Sequence, residues 1–178
     1  MSIPTIKLTE ILQYLDSKEP DDKPYLFINP SENLDTFFRY KGTQIDLIKE
    51  KVNLDLHPEQ LNDIQKNILD NIEIGMRQGG WVVFNIGVSG SFNINNFFKK
   101  FSFFKEGMFK PSSVHDKKYC MNCGLFRKEN DIDTFGNKGC FEIKDEFKIL
   151  FLSTAKKEDA DSLIKENQDI EFNAIIVD

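Results

Sequence analysis

Short apolar runs that alternate with helical segments constrain this chain more than any other feature. Residues 25–28 and 81–84 are uninterrupted apolar runs, and residues 148–153 are apolar apart from their two ends. Runs of this length and composition are typical of strands buried on both faces, as in a parallel sheet that helices cover. Two further strands are expected, an edge strand at residues 43–48, where polar and apolar residues alternate, and a last strand at residues 172–177.

Helical patterns separate these predicted strands. The clearest one begins at Pro58, repeats apolar residues in steps of three and four as far as Met76, and stops at Gly79. Further helical patterns cover residues 9–17, with Thr9 as the N-cap, residues 94–104 and residues 157–166. Residues 105–139 show no sustained period and are therefore predicted to form a long insertion.

The alternation predicts an α/β fold: a doubly wound, mostly parallel, five-stranded sheet with right-handed crossovers and helices on both faces. A chain of 178 residues has the size of one domain. We expect residues 1–23 to form an N-terminal helix and linker, and residues 24–178 to form the domain itself, interrupted by the insertion at 105–139.

The turn after the first predicted strand lacks the residues of a phosphate-binding turn. Such a turn needs glycines whose N–H groups wrap the anion, and a lysine to neutralise it. Residues 29–34 contain neither; Pro30 has no N–H to donate, and the charge of Glu32 would repel a phosphate. Asn85 ends the strand at residues 81–84 and, being neutral, cannot replace a magnesium-binding aspartate. The sequence therefore predicts no nucleotide hydrolysis, and Asn85 is expected to hydrogen-bond to neighbouring loops.

Three segments carry a resemblance to a known family. They read PYLFINPSEN at residues 24–33, GGWVVFN at residues 79–85 and FKILFLST at residues 147–154. In this order they resemble the C-terminal AAA modules of dynein heavy chains, above all the last module, with its P-L-x-F-x-x-S-P-G-x-D-P, G-x-W-V-x-L-Q-N and F-R-x-x-L-T-S segments. The chain departs from that pattern in three ways. The proline-glycine turn is degenerate, Phe84 replaces the Gln that precedes the strand-end Asn, and residues 105–139 are an addition.

The resemblance has implications for fold and function. It implies a P-loop/AAA-like strand order and, since the last dynein modules are non-catalytic parts of the ring, a pseudo-ATPase used as a scaffold. It also implies a location in the cytoplasm and cytoskeleton, at the ciliary axoneme, with axonemal or microtubule-associated proteins as partners.

The charge of the chain is distributed unevenly. Residues 99–128 hold eight basic residues against two acidic ones, although the chain as a whole has a net charge of −6. Such a segment suits an acidic protein surface, or it is simply a solvated loop. The acidic remainder argues against a nucleic-acid binder. The candidate partner-binding lysines are Lys99, Lys100, Lys117 and Lys118.

Five phenylalanines within eight residues cover more than one stripe of the helix predicted at residues 94–104. Either all five rings are buried in the protein core, or some of them form a partner-binding face. The candidates for that face are Phe97, Phe101 and Phe103, with Phe103 foremost.

His115, Cys120, Cys123 and Cys140 follow the pattern H-x4-C-x2-C-x16-C, which would suit a structural zinc site. The alternative is three inert, reduced thiols. No other cofactor is expected. Because the chain has an odd number of cysteines, no signal-peptide pattern and no apolar run long enough for a bilayer, we expect an intracellular protein that does not enter a membrane.

The leading functional hypothesis is a non-catalytic protein-interaction module, a scaffold or adaptor of the ciliary axoneme. Two alternatives stay open at this point. One is a small nucleotide-binding enzyme with a non-standard phosphate site, and the other is a zinc-stabilised adaptor unrelated to cilia.

Overall fold

The structure, a computed structural model, describes residues 3–17, 21–30, 32–88 and 92–178, with the side chain of Glu32 excepted. The strands are β1 (Thr5–Ile6), β2 (Tyr25–Ile28), β3 (Gly42–Asp46), β4 (Trp81–Asn85), β5 (Lys148–Ser153) and β6 (Asn173–Val177). The helices are α1 (Ile11–Ser17), α2 (Glu32–Lys41), α3 (Leu47–Leu56), α4 (Leu61–Gln78), α5 (Ile94–Phe98), α6 (Pro111–His115), α7 (Lys117–Cys123) and α8 (Ala160–Glu166).

The strands form one parallel sheet in the order β1-β6-β2-β5-β4-β3. The predicted doubly wound α/β fold is confirmed, and β3 lies at an edge as expected. Without β1 the order is β6-β2-β5-β4-β3, in agreement with the P-loop/AAA-like order. The sheet has six strands and not five, because Thr5 and Ile6 pair with β6. A two-residue strand is too short to show a period in the sequence.

Hydrophobic clusters cover both faces of the sheet, because successive residues of a strand point to opposite faces. Phe27 packs in the cluster that α1 and α2 cover, while its neighbours Leu26 and Ile28 belong to the larger cluster beneath α4, α5, α8 and the insertion. Ile11 and Leu15 of α1 are buried in the smaller cluster. The described part of the N-terminal segment, which was predicted as a helix and linker, thus packs its helix against the sheet.

Two glycines fix the geometry around β4. Gly79 ends α4 in the left-handed region, with φ of 72°, and its N–H donates to the carbonyl of Gly75. Gly42 opens β3 so close to β4 that a Cβ there would lie 2.0 Å from the carbonyl oxygen of Trp81. A larger residue at position 42 would push the edge strand off the sheet.

Three predicted boundaries were wrong. The strand expected at residues 43–48 ends at Asp46, whose side chain accepts the Lys49 N–H and caps α3. The N-terminal helix starts in a 3-10 turn, Leu8–Glu10, that is capped by the Lys7 backbone and the Glu10 carboxylate and not by Thr9. The helix predicted at residues 94–104 stops at Phe98 and continues as turns.

The insertion at residues 105–139 is ordered and contributes to the core. It contains α6, α7 and a one-pair antiparallel bridge between Ile132 and Lys138. Its buried apolar side chains are Met108, Phe109, Val114, Cys120, Leu125 and Phe126. Helices of five and seven residues are too short to produce a recognisable sequence period, so this segment was predicted as irregular.

Candidate functional site

The carboxyl ends of the central strands are the place where open α/β sheets bind ligands. Here, polar groups at these ends bond to one another. The backbone N–H of Asn29 donates to the Ser153 carbonyl at 3.0 Å, and the Asn29 side-chain amide donates to the carbonyl of Val177. The Ser153 hydroxyl donates to the Gly87 carbonyl at 2.8 Å and accepts the Ala155 N–H at 3.1 Å. These bonds join β2 to β5 and β6, and β5 to the loop after β4.

Asn85 takes part in the same network. Its side-chain oxygen accepts the Gly87 N–H at 2.8 Å, so the expectation that it would bond to a neighbouring loop is confirmed. Asn29, Asn85 and Ser153 are neutral and bond within the protein, so they hold the strands together and supply no charge for phosphate or magnesium. The carboxylate at the end of β3, that of Asp46, accepts the Lys49 N–H. Ser31 and residues 89–91, which belong to the adjoining turns, lie outside the described residues.

The predicted aromatic contact face is not on the surface. Phe97, Phe101 and Phe103 are 3%, 3% and 1% exposed, and the rings of Phe101 and Phe103 stack with centroids 5.6 Å apart. This correction has a simple cause. The chain leaves the helix after Phe98, and the turns that follow direct both aromatic stripes into the larger cluster.

The predicted lysines differ in their surroundings. Lys99 and Lys118 are exposed, and the Lys100 ammonium lies 3.3 Å from an Asp55 carboxylate oxygen. Lys117 is partly buried, with its ammonium 2.6 Å from the Asp131 carboxylate. Lys117 and Lys118 line a shallow groove of about 430 Å³ on α7. The other lining residues are Met121, Asn122 and Lys128.

The four predicted zinc ligands do not come together. His115 Nε2 lies 2.9 Å from the Phe147 carbonyl oxygen, and the buried Cys120 thiol donates to the Ser113 carbonyl. Burial raises the pKa of Cys120 to about 12, and Cys140 is exposed. In the part of the chain that the structure describes, no three His, Cys, Asp or Glu side chains are grouped as metal ligands. The described geometry therefore gives no support to the predicted zinc site.

A cleft that the sequence did not reveal opens at the opposite, amino edge of the sheet. It has a volume of about 550 Å³ and lies between the linker before β2, the turn at residues 105–110 and the loop before β6. Cavities of about 300–1,000 Å³ are typical of ligand sites. Its walls come from these three segments and from Asn95 of α5, which are distant in sequence, so no local motif could have indicated it.

Two contacts hold the walls of this cleft in place. Asp22 adopts a left-handed conformation with φ of 53°, and its carboxylate accepts both the backbone N–H and the hydroxyl of Ser112 at 2.8 Å. These hydrogen bonds lower the pKa of Asp22. The ammonium of Lys23 lies 3.0 Å from the Glu171 carboxylate. The linker is thus fixed to α6 on one side and to the loop before β6 on the other.

No protein-family model, curated protein or solved structure matches this chain. The dynein-like segments therefore remain a resemblance read from the sequence. Among the residues that the structure describes, no helix combines the length and apolar character needed to cross a membrane.

Proposed function

We propose that this protein is a non-catalytic interaction module with an AAA-like sheet, acting as a scaffold or adaptor of the ciliary axoneme. The observation that carries the proposal is the hydrogen-bond network at the carboxyl edge. Asn29, Asn85 and Ser153 stand where a nucleotide-hydrolysing relative would need charged or metal-binding groups, and each bonds within the protein. These three side chains stabilise the sheet and, with their bonds made inside the described part of the protein, are not poised for phosphate chemistry.

The strand order supports the AAA-like part of the proposal. Five strands follow the order that the resemblance implies, and the segments at residues 24–33, 79–85 and 147–154 provide β2, β4 and β5 together with their flanking turns. Axonemal location and microtubule-associated partners rest on this resemblance alone. The groove on α7, with Lys117, Lys118 and Lys128, suits an acidic protein surface.

Calorimetric titration of the purified protein with ATP and GTP in the presence of magnesium tests the non-catalytic role. We expect no heat of binding and no release of phosphate. Micromolar binding accompanied by turnover would overturn the proposal in favour of a small nucleotide-binding enzyme with a non-standard phosphate site.

Chemical cross-linking in isolated cilia tests the location. We expect cross-links from Lys118 or Lys128 to acidic segments of axonemal proteins. A protein absent from cilia, or cross-linked to none of their components, would contradict the axonemal part of the proposal and leave the non-catalytic part standing.

A further inference from the structure

The cleft at the amino edge contains a buried polar side chain, that of Asn95, that has no hydrogen-bond partner within the described protein. It is 7% exposed, lines the cleft, and its amide makes no hydrogen bond to any described residue. Because the amide lines the cleft and is not among the fully buried unsatisfied groups, its polar atoms face solvent there and can exchange that water for a ligand. Its two N–H donors and its carbonyl oxygen match the acceptor and donor of a peptide unit.

The charges around Asn95 are of both signs. Asp21, Asp22 and Glu171 are already engaged, by Asn173, Ser112 and Lys23 respectively. Four more charged side chains line the cleft without an ion pair or side-chain hydrogen bond among the described residues. They are Lys105, Glu106, Lys110 and Asp169.

We propose that this cleft binds an extended segment of a partner protein, with a peptide unit of that segment hydrogen-bonded to the Asn95 amide. Lys105, whose ammonium also lies 5.4 Å from the centre of the Tyr119 ring, and Lys110, which is near the Asp22 carboxylate, receive an acidic side chain of the segment. Glu106 and Asp169 receive a basic one. Phe109 and Ile170 supply apolar contact area within the same cleft. This inference rests on the proposed interaction role and identifies a site for it.

An extended segment accounts for these features better than an isolated ion. A simple cation would pair only with the carboxylates, and a simple anion only with the lysines. Either ion would leave the amide without a partner of matching geometry. A peptide brings backbone groups and side chains of either sign together, spaced about 3.3–3.6 Å per residue along an extended chain. Free zwitterionic amino acids share this chemistry, and the experiment below separates the two sources.

The first arm of the test needs no ligand and compares Asn95→Leu with Asn96→Leu. Asn96 is the exposed neighbour on α5, so it provides a matched control. Because the Asn95 amide has no internal hydrogen bond to lose, the melting temperature of the Asn95→Leu variant should equal or exceed that of the wild type. A fall of several degrees that the control does not show would mean that Asn95 has a structural role, and would overturn the proposal.

The second arm titrates the isotopically labelled full chain with the capped tetrapeptide acetyl-Ala-Lys-Glu-Ala-amide, followed by NMR. We expect saturable, millimolar binding, with shifts at the Asn95 side-chain amide and the Gly107 backbone. Asn95→Leu should weaken binding about tenfold, the value of one well-formed hydrogen bond, while Asn96→Leu should leave it unchanged.

Two results of the titration would overturn the inference. One is the absence of shifts at Asn95, and the other is equal shifts with a mixture of free lysine and glutamate, which would indicate a small zwitterionic ligand. Neither result would contradict the proposed non-catalytic role, which only nucleotide turnover would overturn.

Discussion

Arg127 and Glu73 join the insertion to α4 through a charged contact at the protein interior. The Arg127 Nε donates to a Glu73 carboxylate oxygen at 2.9 Å, and the Arg127 backbone N–H donates to the same oxygen at 2.8 Å. Glu73 is 5% exposed. Its hydrogen bonds raise the pKa of Arg127, whose guanidinium stays charged throughout the accessible pH range. The insertion is therefore held on the domain by a specific pair as well as by apolar packing.

Replacing Glu73 should loosen this attachment. We expect Glu73→Ala to lower the free energy of unfolding by about 3 kcal/mol, since it removes one partner of a buried pair and leaves two Arg127 donors unsatisfied. Urea denaturation measures the change. Asp55→Ala removes an exposed carboxylate that pairs with Lys51 and serves as the control, with a curve close to that of the wild type. Equal curves for both variants would contradict the anchoring role.

Phe103 is a core residue, and its substitution should affect stability. Phe103→Ala should lower the free energy of unfolding by about 3–5 kcal/mol, because it removes a ring that is 1% exposed and leaves a cavity. Phe135 is 90% exposed, so Phe135→Ala should change stability by no more than about 0.5 kcal/mol. Thermal or urea unfolding of the two variants provides the measurement. A Phe103→Ala variant as stable as the wild type would contradict the burial of Phe103 in the core.

Ser153 tests the network at the carboxyl edge. Its hydroxyl is fully buried and bonds to both the Gly87 carbonyl and the Ala155 N–H. Ser153→Ala therefore leaves the Ala155 N–H without its acceptor, while the Gly87 carbonyl keeps the Thr154 N–H as a donor. We expect a loss of about 1–3 kcal/mol in unfolding free energy. Ser162→Ala, at an exposed position of α8, is the control. If Ser153→Ala proved neutral, the hydroxyl would not be a structural bridge.

The thiols should differ sharply in reactivity. A thiol reagent such as DTNB should modify Cys140 rapidly in the native protein, because this residue is exposed. Cys120 is buried, with its pKa raised to about 12, and should react only on unfolding. Cys140→Ser should abolish the fast phase. Mass spectrometry of the native protein should find no stoichiometric zinc, and one bound zinc per chain would contradict our interpretation of the thiols.

Ionisation of Asp22 should make the free energy of unfolding depend on pH in the acidic range. Its pKa is lowered from the ordinary value of 3.8, first by the hydrogen bond from the Ser112 backbone. A carboxyl group whose pKa is depressed on folding contributes stability that is complete above its ordinary pKa and is lost as the pH falls through the folded value. Asp22→Asn should therefore be less stable than the wild type at neutral pH, and the two should converge below about pH 4. Asparagine tolerates the left-handed conformation.

Urea midpoints of both proteins across this range provide the test. Ser162→Ala, at an exposed position of α8, changes no carboxyl group and is the control, so its difference from the wild type should not depend on pH. A difference between wild type and Asp22→Asn that stayed constant with pH would mean that the Ser112 contact does not depend on the carboxylate charge.

The sequence predicted those parts of the fold that depend on local patterns. The runs that became β2, β4 and β5 were recognisable because buried parallel strands are apolar on both faces. The helix from Pro58 to Met76 was recognisable because it spans several turns. Some elements that were not predicted are short, as in β1, α6 and α7, where a few residues show no period. The helices α2 and α3, of ten residues each, were not predicted either.

The candidate sites were less accessible to sequence reasoning. The hydroxyl of Ser153 and the amide of Asn29 gain their roles only when neighbouring strands place them opposite carbonyls of Gly87 and Val177. Likewise, the cleft around Asn95 has walls from residues 21–24, 105–110 and 169–171, and nothing in the sequence pairs these segments.

By itself, then, the sequence determined the alternation of strands and helices, and hence a covered parallel sheet, because burial on both faces and helical periodicity are local properties of the chain. Only the tertiary structure decided which phenylalanines are buried, which thiols are separated, and which polar groups meet at the two edges of the sheet. These outcomes depend on the path of turns and on contacts between residues far apart in sequence, which no local pattern records.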